Sequence, residues 1–378
     1  MKLIALKDVC KINMGQSPNS SSYNDYGDGM PFFQGNADFG ERYPITRVWC
    51  NTPTKIAQAE DILISVRAPI GALNYAKEEC CIGRGLAAIT PDRNKVSQDF
   101  IYWALKGKKA ELNDKGNGST FKAISRKILE ETMIPDINFE QQHKCAENLE
   151  KIYGIIQNRR KELLALDDLI KARFVEMFGD PVSNPKGWDM VELGELTGIG
   201  SSKRIFEKEY VSEGIPFYRT KEIVELSKGN SISTELYITE ERFAEIKEQY
   251  GVPKAGDLLI SAVGTIGIIW IVDGKNDFYF KDGNLIRVDS SDKFDSVYMK
   301  NLLENLIVEY KKQMSSGTAY AALTISGLTK MKVYDVPMEL QNQFADFVRQ
   351  VDKSKVAVQK ALDETQTLFD SLMQEYFG

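Results

Sequence analysis

Ala59-Glu60-Asp61-Ile62-Leu63-Ile64-Ser65 decides how this chain is built, because it returns 196 residues later as Ala255-Gly256-Asp257-Leu258-Leu259-Ile260-Ser261. Each copy is a short apolar run entered through an acidic turn, the pattern of a buried strand. Ile70-Gly71 comes back as Ile266-Gly267 at the same offset. A duplicated unit changes what every later motif means.

Further along, Asp136-Ile137-Asn138-Phe139-Glu140-Gln141-Gln142 pairs with Asp335-Val336-Pro337-Met338-Glu339-Leu340-Gln341 at an offset of 199, which holds without a gap until Phe178-Gly179 meets Phe377-Gly378. Upstream, Pro31-Phe32-Phe33-Gln34 pairs with Pro216-Phe217-Tyr218-Arg219 at 185. The front of each unit has gained or lost residues while its back has not. Ordinary duplication with drift gives such a pattern too.

The back of the first unit reads as a helix of about forty residues. Leu149, Ile152, Ile156, Leu163, Leu166, Ile170 and Met177 form a heptad-like seam, interrupted by Arg159 and Arg173. The copy carries Val348, Val351, Val358, Leu362, Phe369, Leu372 and Tyr376, with Lys355 and Thr365 as its polar interruptions. At a rise of 1.5 Å per residue each helix is about 55–60 Å long, too long to lie on one small domain throughout. The two are expected to pack on each other, and the globular segment between them leaves room for an antiparallel return. The alternative is that each stripe caps its own domain. Gly179-Asp180-Pro181-Val182-Ser183-Asn184-Pro185-Lys186-Gly187 stops the first helix with turn formers.

The fronts hold short β runs such as residues 62–66 and 258–263, with helical stretches around Phe100–Leu105 and Val297–Leu303. Each front is mixed α and β.

With 378 residues and 43% hydrophobic content, the chain can bury real cores. The net charge of −6 divides as +1 over residues 1–180 (25 Lys+Arg, 24 Asp+Glu) and −7 over 181–378 (23 and 30), so neither half is polycationic. Residues 1–8 have no apolar stretch like that of a signal peptide, and no window approaches a membrane span, which leads to an expected cytoplasmic location with no membrane partner. Five cysteines, two of them adjacent at Cys80 and Cys81, fit a reducing compartment better than a disulfide framework.

Catalytic patterns are missing. The one histidine, His143, sits on a polar stretch at the start of the long helix and reads as solvated. The cysteines lack zinc-ligand spacing, no phosphate-binding glycine–lysine loop occurs, and Gly198-Ile199-Gly200 lacks the third glycine of a dinucleotide site. The Asn-Pro-Pro-Tyr of an adenine aminomethyltransferase is absent as well. No cofactor or metal is expected on this chain, which reads as a binder.

Asn13-Met14-Gly15-Gln16-Ser17-Pro18-Asn19 in one front and Gly200-Ser201-Ser202-Lys203-Arg204 in the other combine glycine, amides, hydroxyls and cations. Such groups suit base edges, and equally suit plain turns. Gly118-Ser119-Thr120-Phe121-Lys122-Ala123-Ile124-Ser125 aligns with Gly317-Thr318-Ala319-Tyr320-Ala321-Ala322-Leu323-Thr324. That element could hold a phosphate or cap a helix.

The order of front, long helix, Phe-Gly-Asp-Pro linker, second front and second long helix, with the helix-entry segment Ile134–Gln142, resembles the specificity (S) subunit of type I restriction–modification systems, the HsdS family. The resemblance covers essentially the whole chain and rests on architecture, since none of its motifs is catalytic. It implies an α+β chain with an internal pseudo-twofold repeat: two mixed α/β target recognition domains joined by two long conserved helices packed as an antiparallel coiled coil. The expected division is 1–137 and 180–336 for the domains, 138–179 and 337–378 for the spacer helices. It further implies a non-catalytic subunit that reads a bipartite, asymmetric site in double-stranded DNA. Two methyltransferase (M) subunits, bringing S-adenosylmethionine, and two restriction (R) subunits, bringing ATP and Mg, are the partners it implies.

On that reading the candidate DNA-binding residues are Gln16, Ser17, Asn19, Gln34, Asn36, Arg67, Arg84, Ser119 and Lys122 in the first front. In the second they are Ser202, Lys203, Arg204, Arg219, Lys221, Lys281, Asn284 and Thr318. For Arg67 and Arg84, each taken alone, a surface ion pair is the simpler account. Two departures stand out: Glu60 replaces the glycine of Ala255-Gly256-Asp257, and the second Gly-Ser-Thr-type element lacks a counterpart of Lys122, making phosphate contact there less secure. The reading from a different class is a protein–protein scaffold, two adaptor domains on a helical spacer with no nucleic acid.

Overall fold

The computed structural model describes residues 2–116, 122–314 and 322–378. They form two compact units, Met1–Lys161 with Gln359–Gly378, and Glu162–Val358.

The repeated heptapeptide is the inner strand of a four-stranded antiparallel sheet in each unit. In the first unit Ile62–Ser65 lies between Leu86–Pro91, itself flanked by Cys10–Met14, and Leu73–Tyr75. In the second, Leu258–Ser261 lies between Leu285–Val288, flanked by Ile199–Gly200, and Ile269–Ile271. All four residues of each strand are buried, which explains the unbroken apolar run: both faces of the strand are covered. Asp61 and Asp257 are buried at the strand entries because their carboxylates accept backbone N–H groups, from Gln58 at 2.8 Å in one and from Lys254 at 2.9 Å and Ser290 at 2.8 Å in the other.

The turn before each aspartate needs a left-handed residue. Gly256 has φ +89° and Glu60 has φ +71° in the equivalent place. A side chain there costs about 1–2 kcal/mol, while a glycine loosens the unfolded chain by about 0.5–1 kcal/mol. The ion pair Glu60 makes with Arg93 is exposed on both sides and adds little. Glu60→Gly is therefore expected to stabilise the protein by about 0.5–1 kcal/mol in urea denaturation. An unchanged or lowered midpoint would mean the turn carries no strain.

Each unit has a second sheet in which one pair runs parallel. Phe32 and Phe33 of Met30–Phe33 lie opposite Cys81 and Ile82 of Cys80–Ile82, and Phe217 and Tyr218 of Ile215–Tyr218 lie opposite Tyr279 and Phe280. A helix lies against the sheets in each unit, Gln98–Gly107 in one, where Tyr102 stacks on Tyr75, and Ser296–Met314 in the other, where Tyr298, Leu302 and Leu303 join the core of Leu258 and Ile260.

Two helices of 40 residues, Phe139–Phe178 and Met338–Phe377, are related by the offset of 199 at both ends. Within the first unit, Asn148 bonds to Tyr376 and Arg160 to Gln366, so the partner's number falls as the residue number rises. Within the second unit the same holds, Asp167 pairing with Lys355 at 2.7 Å and Phe174 packing on Phe344 at 5.4 Å. The heptad seam is buried or half-buried at every predicted position of both helices. One feature departs from it. Near its end the first helix turns Phe174 and Phe178 inward, where they pack with Tyr298 and Phe344. Here spacing by four, the period of a helix lying on a globular core, replaces the alternating three and four of a helix pair.

Candidate nucleic-acid interface

In the first unit a loop of three residues, Gly83-Arg84-Gly85, leaves Cys80–Ile82 of one sheet and enters Leu86–Pro91 of the other. Three backbones converge on it. A Cβ on Gly15 would lie 2.2 Å from the Gly83 carbonyl oxygen, and one on Gly85 would lie 2.3 Å from that of Gln34. The N–H groups of Gly15, Gln16, Gly83 and Val66 donate to the carbonyls of Leu86, Ile82, Phe33 and Gly85 at 2.8–3.0 Å. Arg84 N–H donates to Ser17 Oγ at 3.3 Å, and Thr54 Oγ1 donates to the Gln16 carbonyl at 2.6 Å.

Such close packing brings Gln16, Ser17, Gln34 and Arg84 together although they are up to 68 residues apart in sequence. Arg67 follows Val66 and forms an isolated bridge with Ala123, while the Lys122 carbonyl accepts the Ala68 N–H at 3.1 Å. Gln16, Gln34, Arg67, Arg84 and Lys122 are exposed. Among the described residues, no carboxylate pairs with Arg67, Arg84 or Lys122.

Asn19 and Asn36 occupy short 3-10 turns beside this junction. The Asn19 side chain caps its turn by accepting the Ser21 N–H at 3.0 Å, while Asn36 begins a turn closed by the Asp38 carboxylate on the Gln34 and Gly35 N–H groups. Lys55, missed in the sequence, joins the junction through its carbonyl, which accepts the Ile82 N–H at 2.8 Å. It sits in a loop with no counterpart pattern in the second front, so only this long-range bond reveals it.

The second unit builds the same junction from other side chains. The loop from Lys281 to Asn284 joins Tyr279–Phe280 to Leu285–Val288. Lys281 N–H donates to Tyr218, Ala262 N–H to Asn284 and Leu323 N–H to Ala262, at 2.8–3.0 Å. Ser201 Oγ donates to the Leu285 carbonyl at 3.2 Å and accepts the Gly283 N–H at 3.3 Å. Burial pushes the Tyr279 phenol pKa up, and its protonated oxygen accepts the Lys203 N–H at 2.6 Å.

The cations here are tied to carboxylates. Arg204 Nε donates to Asp282 Oδ2 at 2.7 Å, and Lys281 Nζ lies 3.8 Å from the other oxygen. Arg219 and Lys221 both approach the buried Glu222, at 3.1 and 3.5 Å. Lys203 Nζ lies over the Tyr250 ring at 5.1 Å. The half-buried Ser202 has a hydroxyl without a hydrogen-bond partner among the described residues. Asp282 and Glu222 were not legible as site residues, because a carboxylate in an acidic chain gives no signal until its cation is placed beside it.

Ser119 and Thr318 lie outside the described residues. At the end of the elements that contain them, Ser125 Oγ accepts the Ile128 N–H and Thr324 Oγ1 the Gly327 N–H, so both hydroxyls cap helices.

Little here suits covalent chemistry. Burial pushes the thiols of Cys10 and Cys80 up to about 12, which keeps them as protonated core groups. His143 stacks on Phe139 at the start of the long helix. No group of three metal-ligating side chains occurs among the described residues. A cavity of about 440 Å³ in the first unit is lined by Tyr43, Tyr102, Trp103 and Tyr153, and its charges are paired, Arg42 with Glu150 and Glu41 with Lys161. Among the described residues no helix is long and apolar enough to cross a membrane.

A family model described as the type I restriction modification DNA specificity domain matches residues 1–165 and again 185–365. The chain is 47% identical over 152 residues to the putative type I restriction enzyme MjaX specificity subunit of Methanocaldococcus jannaschii, covering 40% of this chain and only 36% of that protein. With the MjaIX specificity subunit of the same organism it shares 25% identity over 408 positions, 97% of this chain and 90% of that one. The type I restriction–modification S subunit from M. genitalium has the same fold, with a TM-score of 0.60 at 17% identity and coverage of 100% and 96%.

Proposed function

The chain belongs to the type I restriction–modification DNA specificity (S subunit) family, and from that premise we propose that it recognises a bipartite, asymmetric site in double-stranded DNA. Residues 1–137 and 180–336 act as the two target recognition domains. Helices 138–179 and 337–378 pair as an antiparallel coiled coil that sets the spacer between the half-sites. The chain is itself non-catalytic and works in the cytoplasm, docking two methyltransferase subunits that carry S-adenosylmethionine and two restriction subunits that use ATP and Mg.

The observation that carries this reading is the junction built twice on one backbone plan from different side chains. Exposed amides and cations line the first, Gln16, Gln34, Arg67 and Arg84, whereas Lys203, Arg204 and Asn284 line the second. The amides Gln16 and Gln34 of the first junction suit adenine edges and the Arg204 guanidinium of the second suits a guanine edge, with Arg67 and Arg84 placed for phosphates, so unlike junctions imply unlike half-sites. The acidic total charge is compatible with DNA binding if partner subunits supply part of the phosphate contact.

Sequencing the methylome of cells expressing this chain with its methyltransferase tests the proposal. The expected result is one split motif with two different halves and a fixed gap. A continuous motif would sink the spacer role. If the purified chain and methyltransferase together fail to bind duplex DNA with a steep salt dependence, the DNA reading fails as a whole.

A further inference from the structure

We propose that Arg204 is the guanine-reading residue of the second target recognition domain, and that Asp282 is the positioning residue that presents it. The inference rests on the DNA reading above and names the base and the atoms that would recognise it.

Both units bring an arginine to the junction, from different segments of the chain. Leu86 and Leu285 lie opposite the repeated serines, Ser65 and Ser261. Asn13 lies opposite Ala88 and Gly200 opposite Arg287, two residues beyond those leucines in each unit. Four residues after Asn13 and Gly200 come Ser17 and Arg204. In the first unit the loop supplies Arg84, whose backbone N–H is held by Ser17 as the Gly283 N–H is held by Ser201; in the second the loop also supplies Asp282, which holds the Arg204 guanidinium. The arginine has changed sides of the junction.

The details of the pair favour a base over a phosphate. Asp282 is 12% exposed and Arg204 66%, so the carboxylate sits behind the guanidinium. Only Nε is engaged, at 2.7 Å. The two Nη groups have no partner among the described residues, which leaves a two-pronged donor edge free. Guanine offers two acceptors, O6 and N7, on its major-groove edge, and a fork of two N–H donors matches them. An arginine already held in place also loses less side-chain freedom on binding.

Arg219 offers no such edge. One of its Nη atoms is on Glu222, and its Nε is buried without a partner. Lys203, as a point charge over Tyr250, lacks the fork.

The test uses the chain with its co-expressed methyltransferase and a panel of duplexes carrying the methylated motif. Each guanine is replaced in turn by 7-deazaguanine, which lacks the N7 acceptor, and by each other base. For the unsubstituted protein one guanine in one half-site is expected to cost roughly 10- to 100-fold in affinity when replaced. Arg204→Gln should abolish discrimination at that position and leave the other half-site untouched. Arg204→Lys should keep the salt slope and the affinity for the guanine-substituted duplexes yet bind the cognate duplex no better than those, which separates reading from folding and from charge. Asp282→Asn should weaken discrimination there without altering it elsewhere.

A motif without guanine in either strand of one half-site, or an Arg204→Gln protein that binds every duplex equally less well with a salt slope reduced by about one, would overturn the assignment; the latter places Arg204 on a phosphate. Failure of the unsubstituted complex to prefer any sequence counts against the DNA reading itself.

Discussion

Replacing Arg67, Arg84 and Lys122 together with glutamine is expected to weaken duplex binding by the methyltransferase-bound chain roughly 500-fold at about 0.1 M salt. Each cation that meets a phosphate releases counterions and contributes about 0.9 to the slope of log affinity against log salt. Three such contacts amount to about 2.7 decades at that salt, and the slope itself should fall by about 2.7. The loss should be the same for all sequences, because phosphate contacts position and do not specify. These three are chosen because they are exposed and, among the described residues, have no carboxylate partner, so no internal pair has to be broken before they meet DNA. A triple replacement in the second domain, Lys203, Lys221 and Lys281, should cost far less, since Glu222 and Asp282 already neutralise part of that charge. Titrations at several salt concentrations decide the matter, and an unchanged slope in the first triple variant removes these residues from the phosphate-binding surface.

Phe344→Ala should destabilise the second unit by about 3–5 kcal/mol, the cost of emptying a large aromatic site in a packed core. Phe344 is fully buried, edge-on to Phe174 at 5.4 Å and to Phe178 at 5.6 Å. Both neighbours come from the other long helix, and Tyr298 stacks behind them. A cavity there cannot collapse easily, because three of its walls are rigid rings. Chemical denaturation followed by circular dichroism measures the effect. A change under about 1 kcal/mol would mean that the aromatic cluster is not close-packed. Phe344→Leu, which fills most of the volume, should recover a large part of the loss.

Much of the architecture was legible because it depends on periodicity and repetition, which are local properties of a sequence. The strands Ile62–Ser65 and Leu258–Ser261 declared themselves as bounded apolar runs, and the seam from Leu149 to Met177 declared a helix of 40 residues. Phe174 and Phe178 fell outside that seam, since the switch from a helix partner to a globular core is made by the surroundings and leaves the local pattern helical. The junctions were legible only as lists of loop residues. Gln16 and Gln34 meet because glycines let Gly83–Gly85 approach two other backbones, and which glycines face each other is a long-range fact. Asp282 was invisible for a different reason: its importance lies wholly in the 2.7 Å contact with Arg204.

The first unit is assembled from pieces that synthesis delivers out of order. Trp103 and Phe100 are covered by Phe369 and Phe377, from Gln359–Gly378, and these are translated only after all of Glu162–Val358. On the ribosome the domain made first must wait, with an aromatic face uncovered, until the whole of the other has emerged. The second unit meets no such delay, since its residues are contiguous and all of them precede Gln359.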